Sequence, residues 1–154
     1  MSAPALPLLR PARAEDIPAI AGLLAALFAI ESDFSADSTR QQAALSQMLD
    51  RADILLQVAE LDGAVVGFCS VQTVISTAEG GPAGVIEDVV VAATHRGKGI
   101  ARALLAAAEA WALGRGMLRL QLLADQDNAP ALAFYRHLGW QETQLGNWRK
   151  RLRG

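Results

Sequence analysis

Residues 85–102 limit what this chain can fold into more than any other stretch. Val85–Val91 is almost continuously apolar, as in a strand at the centre of a sheet, and is interrupted only by Glu87 and Asp88. It leads through Thr94, His95, Arg96, Gly97, Lys98 and Gly99 into a helix over Ile100–Leu113, with Ile100, Leu104, Ala108 and Trp111 on one side. Gly114 and Gly116 end that helix. Such a passage predicts an α/β arrangement. It also predicts an anion cradle, because glycine lets main-chain N–H groups approach a ligand and the first turn of a helix carries unpaired donors. Arg96, Lys98 and Arg102 add full positive charges at its rim. The turn has neither the glycine and lysine spacing of a nucleotide P-loop nor the third glycine of a dinucleotide fingerprint, since Ala101 and Arg102 follow. A tight strand-to-helix connection that uses glycine only to turn satisfies the same pattern.

At 154 residues the chain suits one domain over 1–154, and 52% hydrophobic against 19% charged residues is enough to bury a core. The longest low-charge run, Ile17–Ile30, contains Pro18 and Gly22 and falls short of the roughly 20 apolar residues of a bilayer span. Met1–Arg10 lacks the basic and apolar regions of a signal peptide, so a cytoplasmic protein with no membrane partner is expected. A single cysteine, Cys69, excludes an internal disulfide framework, and with only two histidines no metal site is expected. The net charge of -2 hides an asymmetry: residues 1–93 carry four basic and twelve acidic side chains, residues 94–154 ten and four. The first part suits a cationic partner and the second an anion, although two solvated surfaces of opposite sign give the same count. Aromatic residues, at 5%, are too few for a nucleic-acid stacking platform, so no nucleic-acid partner is expected.

The remaining elements follow from periodicity and turn residues. Leu6–Arg10 suggests a short first strand, Ala14–Ile30 a helix with Ile20, Leu23, Leu24, Leu27 and Phe28 inward, and the segment after Asp37 and Ser38 a second helix. Ile54–Glu60 and Val65–Ser76 read as strands joined by an Asp62-Gly63 hairpin turn, followed by a loop over Thr77–Gly84. Leu118–Ala124 is a strand, Ala129–Leu138 a short helix, Trp140–Leu145 a strand, and Asn147–Leu152 can add another. The order gives a mixed sheet with helices on its faces.

Two motifs in this context resemble those of the GNAT superfamily, the acyl-CoA-dependent N-acetyltransferases. Arg96-Gly97-Lys98-Gly99-Ile100-Ala101 is similar to the family's Arg/Gln-x-x-Gly-x-Gly/Ala signature. Asn128 to Trp140, with Ala131, Tyr135 and Gly139, is similar to its Asn-x-x-Ala-x-x-x-Tyr-x-x-x-Gly-Phe stretch, with Trp140 in place of Phe. The resemblance covers nearly the whole element order. It implies a mostly antiparallel twisted sheet of six to seven strands, about four helices, and a cleft where the strand of Val89–Val91 splays from that of Leu118–Ala124. It also implies acetyl-CoA as co-substrate. Val89, Val90 and Val91 would pair with the pantetheine arm, and the N–H groups of Gly97, Lys98, Gly99, Ile100, Ala101 and Arg102 would hold the pyrophosphate. Asn128 and Ala131 would lie near the arm, and Tyr135 near the thioester sulfur.

Transfer from a thioester to an amine needs a neutral nitrogen, a donor for the developing oxyanion and a proton for the departing thiolate. The expected oxyanion donor is a main-chain N–H of Val89 or Val90. Tyr135, the only tyrosine, stands at the family's general-acid position; its alternative is simple packing beside Phe134 and Leu138. Strand alternation puts Glu87 on one face with Val85, Val89 and Val91, where it can take a proton from an ammonium, bind the cation, or form an ordinary ion pair. Asn128 is also a natural helix cap ahead of Pro130. Phe28, Glu31, Phe34, Ser70 and Gln72 are candidates for the acceptor pocket. The expected acceptor is a small cationic primary amine. A protein N-terminus or lysine, or a sensor that binds acyl-CoA without turnover, stays open, as does a homodimer, common in the superfamily.

Overall fold

The computed structural model describes residues 5–30 and 37–153. These form two compact units, one running to Leu122 and the other beginning at Leu123.

In the first unit the order is β1 (Leu8–Pro11), α1 (Ile17–Ile30), α2 (Ser38–Met48), β2 (Ile54–Leu61), β3 (Ala64–Ser76), β4 (Gly81–Val91), α3 (Ile100–Gly114) and β5 (Leu120–Leu122). The strands make one mixed sheet in the order β1-β2-β3-β4-β5. The first three pairings are antiparallel and β4–β5 is parallel. Asp62 and Gly63 both take positive φ, 51° and 80°, and form the expected two-residue hairpin between Leu61 and Ala64. The loop expected over Thr77–Gly84 is shorter, because β4 already begins at Gly81. Pro82 is tolerated there: pairing with β5 starts only at Gly84, so β4 is still an edge at Pro82 and no ladder needs its missing N–H.

Helices cover both faces. Ile17, Ile20 and Leu24 of α1 and Leu45 of α2 pack with Leu56, Val58, Phe68 and Val90 on one face. On the other, α3 lies against β3 at Gly67, where an added Cβ would stand 3.0 Å from Ile100 Cγ2 and 3.1 Å from Leu104 Cδ1. α3 ends as its glycines suggested. Gly116, at φ 77°, lets its own N–H reach Leu113 O and the Met117 N–H reach Ala112 O, while Met117 is buried. At the start of the fold, Arg10 bonds both oxygens of the buried Asp16, at 2.7 and 3.0 Å, and reaches Glu60 at 3.3 Å. This ties β1 and β2 to the turn that opens α1.

The second unit holds α4 (Ala129–His137). The strands expected over Trp140–Leu145 and Asn147–Leu152 are not formed, so the described residues hold five strands rather than six or seven. Leu145, Trp148 and Leu152 are all exposed. With no face buried, nothing fixes a register for that alternating pattern. No helix among the described residues is long and apolar enough to cross a membrane.

Candidate functional site

The segment between β4 and α3 turns on the glycines that the sequence pointed to. After a single 3-10 turn at Ala93–His95, Gly97 and Gly99 take φ of 76° and 80°, and Gly99 caps α3. A Cβ at either glycine would meet nothing within 4 Å, so it is the left-handed backbone, not crowding, that asks for glycine. The first helical bond runs from the Ala103 N–H to Gly99 O at 3.0 Å. Among the described residues, the N–H groups of residues 97–102 donate to no protein acceptor. Arg96, Lys98 and Arg102 are exposed and make no ion pair with a described residue. Six consecutive donors, a helix N-terminus and three exposed cations are an arrangement that favours negative charge.

β4 leads into this turn along an open edge. Its ladder with β5 spans only Gly84–Ile86 against Leu120–Leu122. Residues 87–91 continue with no strand partner on that side among the described residues. Ala92 donates to Val66 O at 2.8 Å, so antiparallel alternation turns the Val90 amide towards β3 and those of Val89 and Val91 towards the open edge. Of the two oxyanion donors considered, Val89 therefore keeps a free direction. Val90 instead buries its side chain in the core beneath α1.

The expected placing of Glu87 is corrected by the register. Val71 faces Ile86 while Ser70 faces Asp88, so Glu87 is the extra residue of a bulge. Val85 faces Gln72 and Val89 faces Cys69, two positions on opposite faces of β3. Val85, Glu87, Val89 and Val91 thus do not share one face. Glu87 stands exposed on the bulge, and Asp88, half-buried, turns to the face shared by Phe68, Ser70 and Gln72. Ser70 is fully buried and its hydroxyl has no hydrogen-bond partner, so it lines the sheet rather than an open pocket. Phe28 packs on the same α1–α2 face, and Gln72, half-buried, lies two residues beyond Ser70 on β3 in register with Val85. Glu31 and Phe34 lie outside the described residues. On the α3 face, burial and, secondarily, the charge of Asp88 push the Cys69 thiol up to about 12. The Cys69 side chain is buried, away from solvent. Among the described residues no cluster of His, Cys, Asp and Glu is disposed to hold a metal ion.

In the second unit, Asn128 caps α4: its Oδ1 accepts the Ala131 N–H at 3.2 Å, with Pro130 in the first turn. The main chain of Ala131 is thereby engaged. Tyr135, half-buried, packs against Phe134, with ring centroids 5.6 Å apart, and meets Trp140 edge-on at 6.0 Å and 65°. Gly139, at φ 93°, reverses the chain. The Gly139 N–H reaches Arg136 O and the Trp140 N–H reaches Tyr135 O, both at 3.0 Å. This helix-ending turn was missed in the sequence. Its signal was a glycine one residue past the last helical leucine, followed by an aromatic.

Comparison with known proteins agrees with this geometry. The family model described as "Acetyltransferase (GNAT) family" matches residues 23–140. A streptothricin acetyltransferase of Escherichia coli is 44% identical over 55 residues, covering 36% of this chain and 32% of the relative. The aminoglycoside N(6′)-acetyltransferase type 1 of Stenotrophomonas maltophilia is 34% identical over 86 residues, covering 54% of this chain and 56% of the relative. The chain thus spans between a third and about half the length of these curated relatives. Among solved structures, a transcriptional regulator from Bacillus halodurans C-125 superposes with a TM-score of 0.82 at 22% identity, over 94% of this chain and 99% of that one. An aminoglycoside acetyltransferase from an uncultured soil metagenomic sample, in complex with sisomicin, gives 0.77 at 22%, over 96% and 97%. These two likenesses establish the fold. With well over half of its length matched by the family model, the chain belongs to the GNAT family of acetyltransferases.

Proposed function

We propose that this protein, acting as one domain over 1–154, transfers an acetyl group from acetyl-CoA to a primary amine of a small cationic molecule, directly within a ternary complex. The observation that carries the reading is the run of N–H groups from Gly97 to Arg102 with no acceptor among the described residues, flanked by Arg96, Lys98 and Arg102. These groups hold the pyrophosphate. The open edge of β4 at Val89 and Val91 pairs with the pantetheine amides, and the Val89 N–H meets charge developing on the carbonyl oxygen. Acetyl-CoA supplies an activated acyl carbon. Glu87, exposed on its bulge, takes a proton from the ammonium directly or through water, and Tyr135 gives its proton to the departing sulfur. The acceptor class is supported by the excess of acidic residues before position 94, and by relatives named for aminoglycosides and streptothricin.

The test is thiol release from acetyl-CoA across a panel of amines that includes aminoglycosides, polyamines and an N-terminal peptide. Turnover confined to small polycationic amines is expected, with Tyr135→Phe lowering kcat by about 100-fold or more. Replacing Arg96, Lys98 and Arg102 together by glutamine should raise KM for acetyl-CoA with little change in kcat. Turnover confined to peptides would replace the acceptor assignment. Tight acetyl-CoA binding without turnover would refute the catalytic reading in favour of a sensor.

A further inference from the structure

The turn that ends α4 does more than stop a helix. Its hydrogen bonds fix Trp140 over the residue five positions earlier in the chain, and that residue is Tyr135. In this kind of helix ending the residue after the glycine commonly makes an apolar contact with the third residue from the helix end. Here the contact is an edge-on aromatic pair at 6.0 Å. Phe134 borders the same ring at 5.6 Å and 56°. The phenol of Tyr135 thus projects from a ring bordered by two aromatic neighbours, one of them set by the left-handed Gly139. A phenylalanine, the usual residue here in the family motif, is smaller and has no indole edge.

We propose that Trp140 is a positioning residue for Tyr135: its indole fixes the orientation in which the phenol delivers its proton, and Gly139 sets the indole. This rests on the reading of Tyr135 as general acid. Trp140 itself touches no reacting atom. Loss of an aromatic pair of this geometry should cost about three- to tenfold in kcat, with KM for acetyl-CoA unchanged.

The test has two arms. Because Tyr135 is the only tyrosine, ring-labelled tyrosine gives one set of NMR resonances in the intact protein. Trp140→Leu should shift these resonances as the indole ring current is lost, and Trp140→Phe should shift them less. Unmoved resonances in Trp140→Leu would overturn the contact whatever the activity. The second arm is a double-mutant cycle in the thiol-release assay. Trp140→Leu should lower kcat about three- to tenfold, Trp140→Phe should recover most of it, and Trp140→Leu should be silent in a Tyr135→Phe background. An equal loss in both backgrounds would overturn the proposal and make Trp140 a structural residue only. If Tyr135→Phe retains full kcat, the general-acid reading fails instead, and the NMR arm still decides whether the indole orients the ring.

Discussion

Replacing Gly67 by alanine adds one methyl group at the point where α3 meets the sheet. That methyl would stand 3.0 Å from Ile100 Cγ2, 3.1 Å from Leu104 Cδ1 and 3.3 Å from Ala59 Cβ. None of the three can yield cheaply. Ala59 Cβ is fixed to its strand, Ile100 is β-branched, and the three residues are 0–2% exposed. Overpacking of this kind costs about 1–3 kcal/mol. Alanine also narrows the unfolded ensemble relative to glycine, which offsets about 0.5–1 kcal/mol. At the middle of both ranges the net expectation is a loss of about 1 kcal/mol, read as a lower urea midpoint at unchanged slope. Ile100 is also the first residue of α3, so relief of the clash displaces the N–H donors at the start of that helix. KM for acetyl-CoA should then rise while kcat changes little. Gly22, exposed within α1, has nothing within 4 Å of its added Cβ, and Gly22→Ala should stabilise by about 0.5–1 kcal/mol. A Gly67→Ala protein as stable as the parent, at equal slope, would refute the close-packing argument.

Further outcomes follow from other parts of the molecule. Gly99→Ala forces a side chain into φ 80°, and should weaken acetyl-CoA binding about five- to thirtyfold through about 1–2 kcal/mol of strain, read by titration calorimetry. The Arg10 guanidinium, aided by the Arg13 N–H, holds the Asp16 carboxyl below its usual 3.8. The pair's contribution is therefore complete above that pH and is lost as pH falls through the lower folded value. Asp16→Asn should cost about 2–3 kcal/mol at neutral pH and flatten the acid limb of stability, measured by urea unfolding across pH. Cys69, with its thiol pushed up to about 12, should resist thiol reagents in the native protein and label at the rate of global unfolding; prompt stoichiometric labelling would contradict its burial.

The glycine turn ahead of α3 was legible in the sequence because its requirements are local: positive φ at Gly97 and Gly99 and a helix start directly after them. Helices and hairpins were legible for the same reason, through Asp62-Gly63, Gly116 and the Asn128 cap. What was not legible depends on partners distant in sequence. The bulge at Glu87 arises only from the register between β3 and β4, and it reverses the face on which a strict alternation places Val85. Gly67 reads as a weak strand residue until α3 is laid over it. The alternating pattern after Trp140 looks like a strand, but alternation permits pairing without supplying a partner.

The order of the strands also bears on how the chain reaches this state. β2, β3 and β4 are joined by tight turns, so each meets its neighbour across a short loop. The two outer strands do not: β1 must close over α1 and α2, and β5 returns to β4 only after α3. Loop closure over such lengths carries an entropy cost that local hairpins avoid, so the central meander is expected to assemble first and the three-residue parallel ladder last. During vectorial synthesis, a nascent chain extending only to Val91 would therefore already hold paired strands, yet the glycine turn at Gly97 and Gly99 would have no helix to open until α3 docks across Gly67.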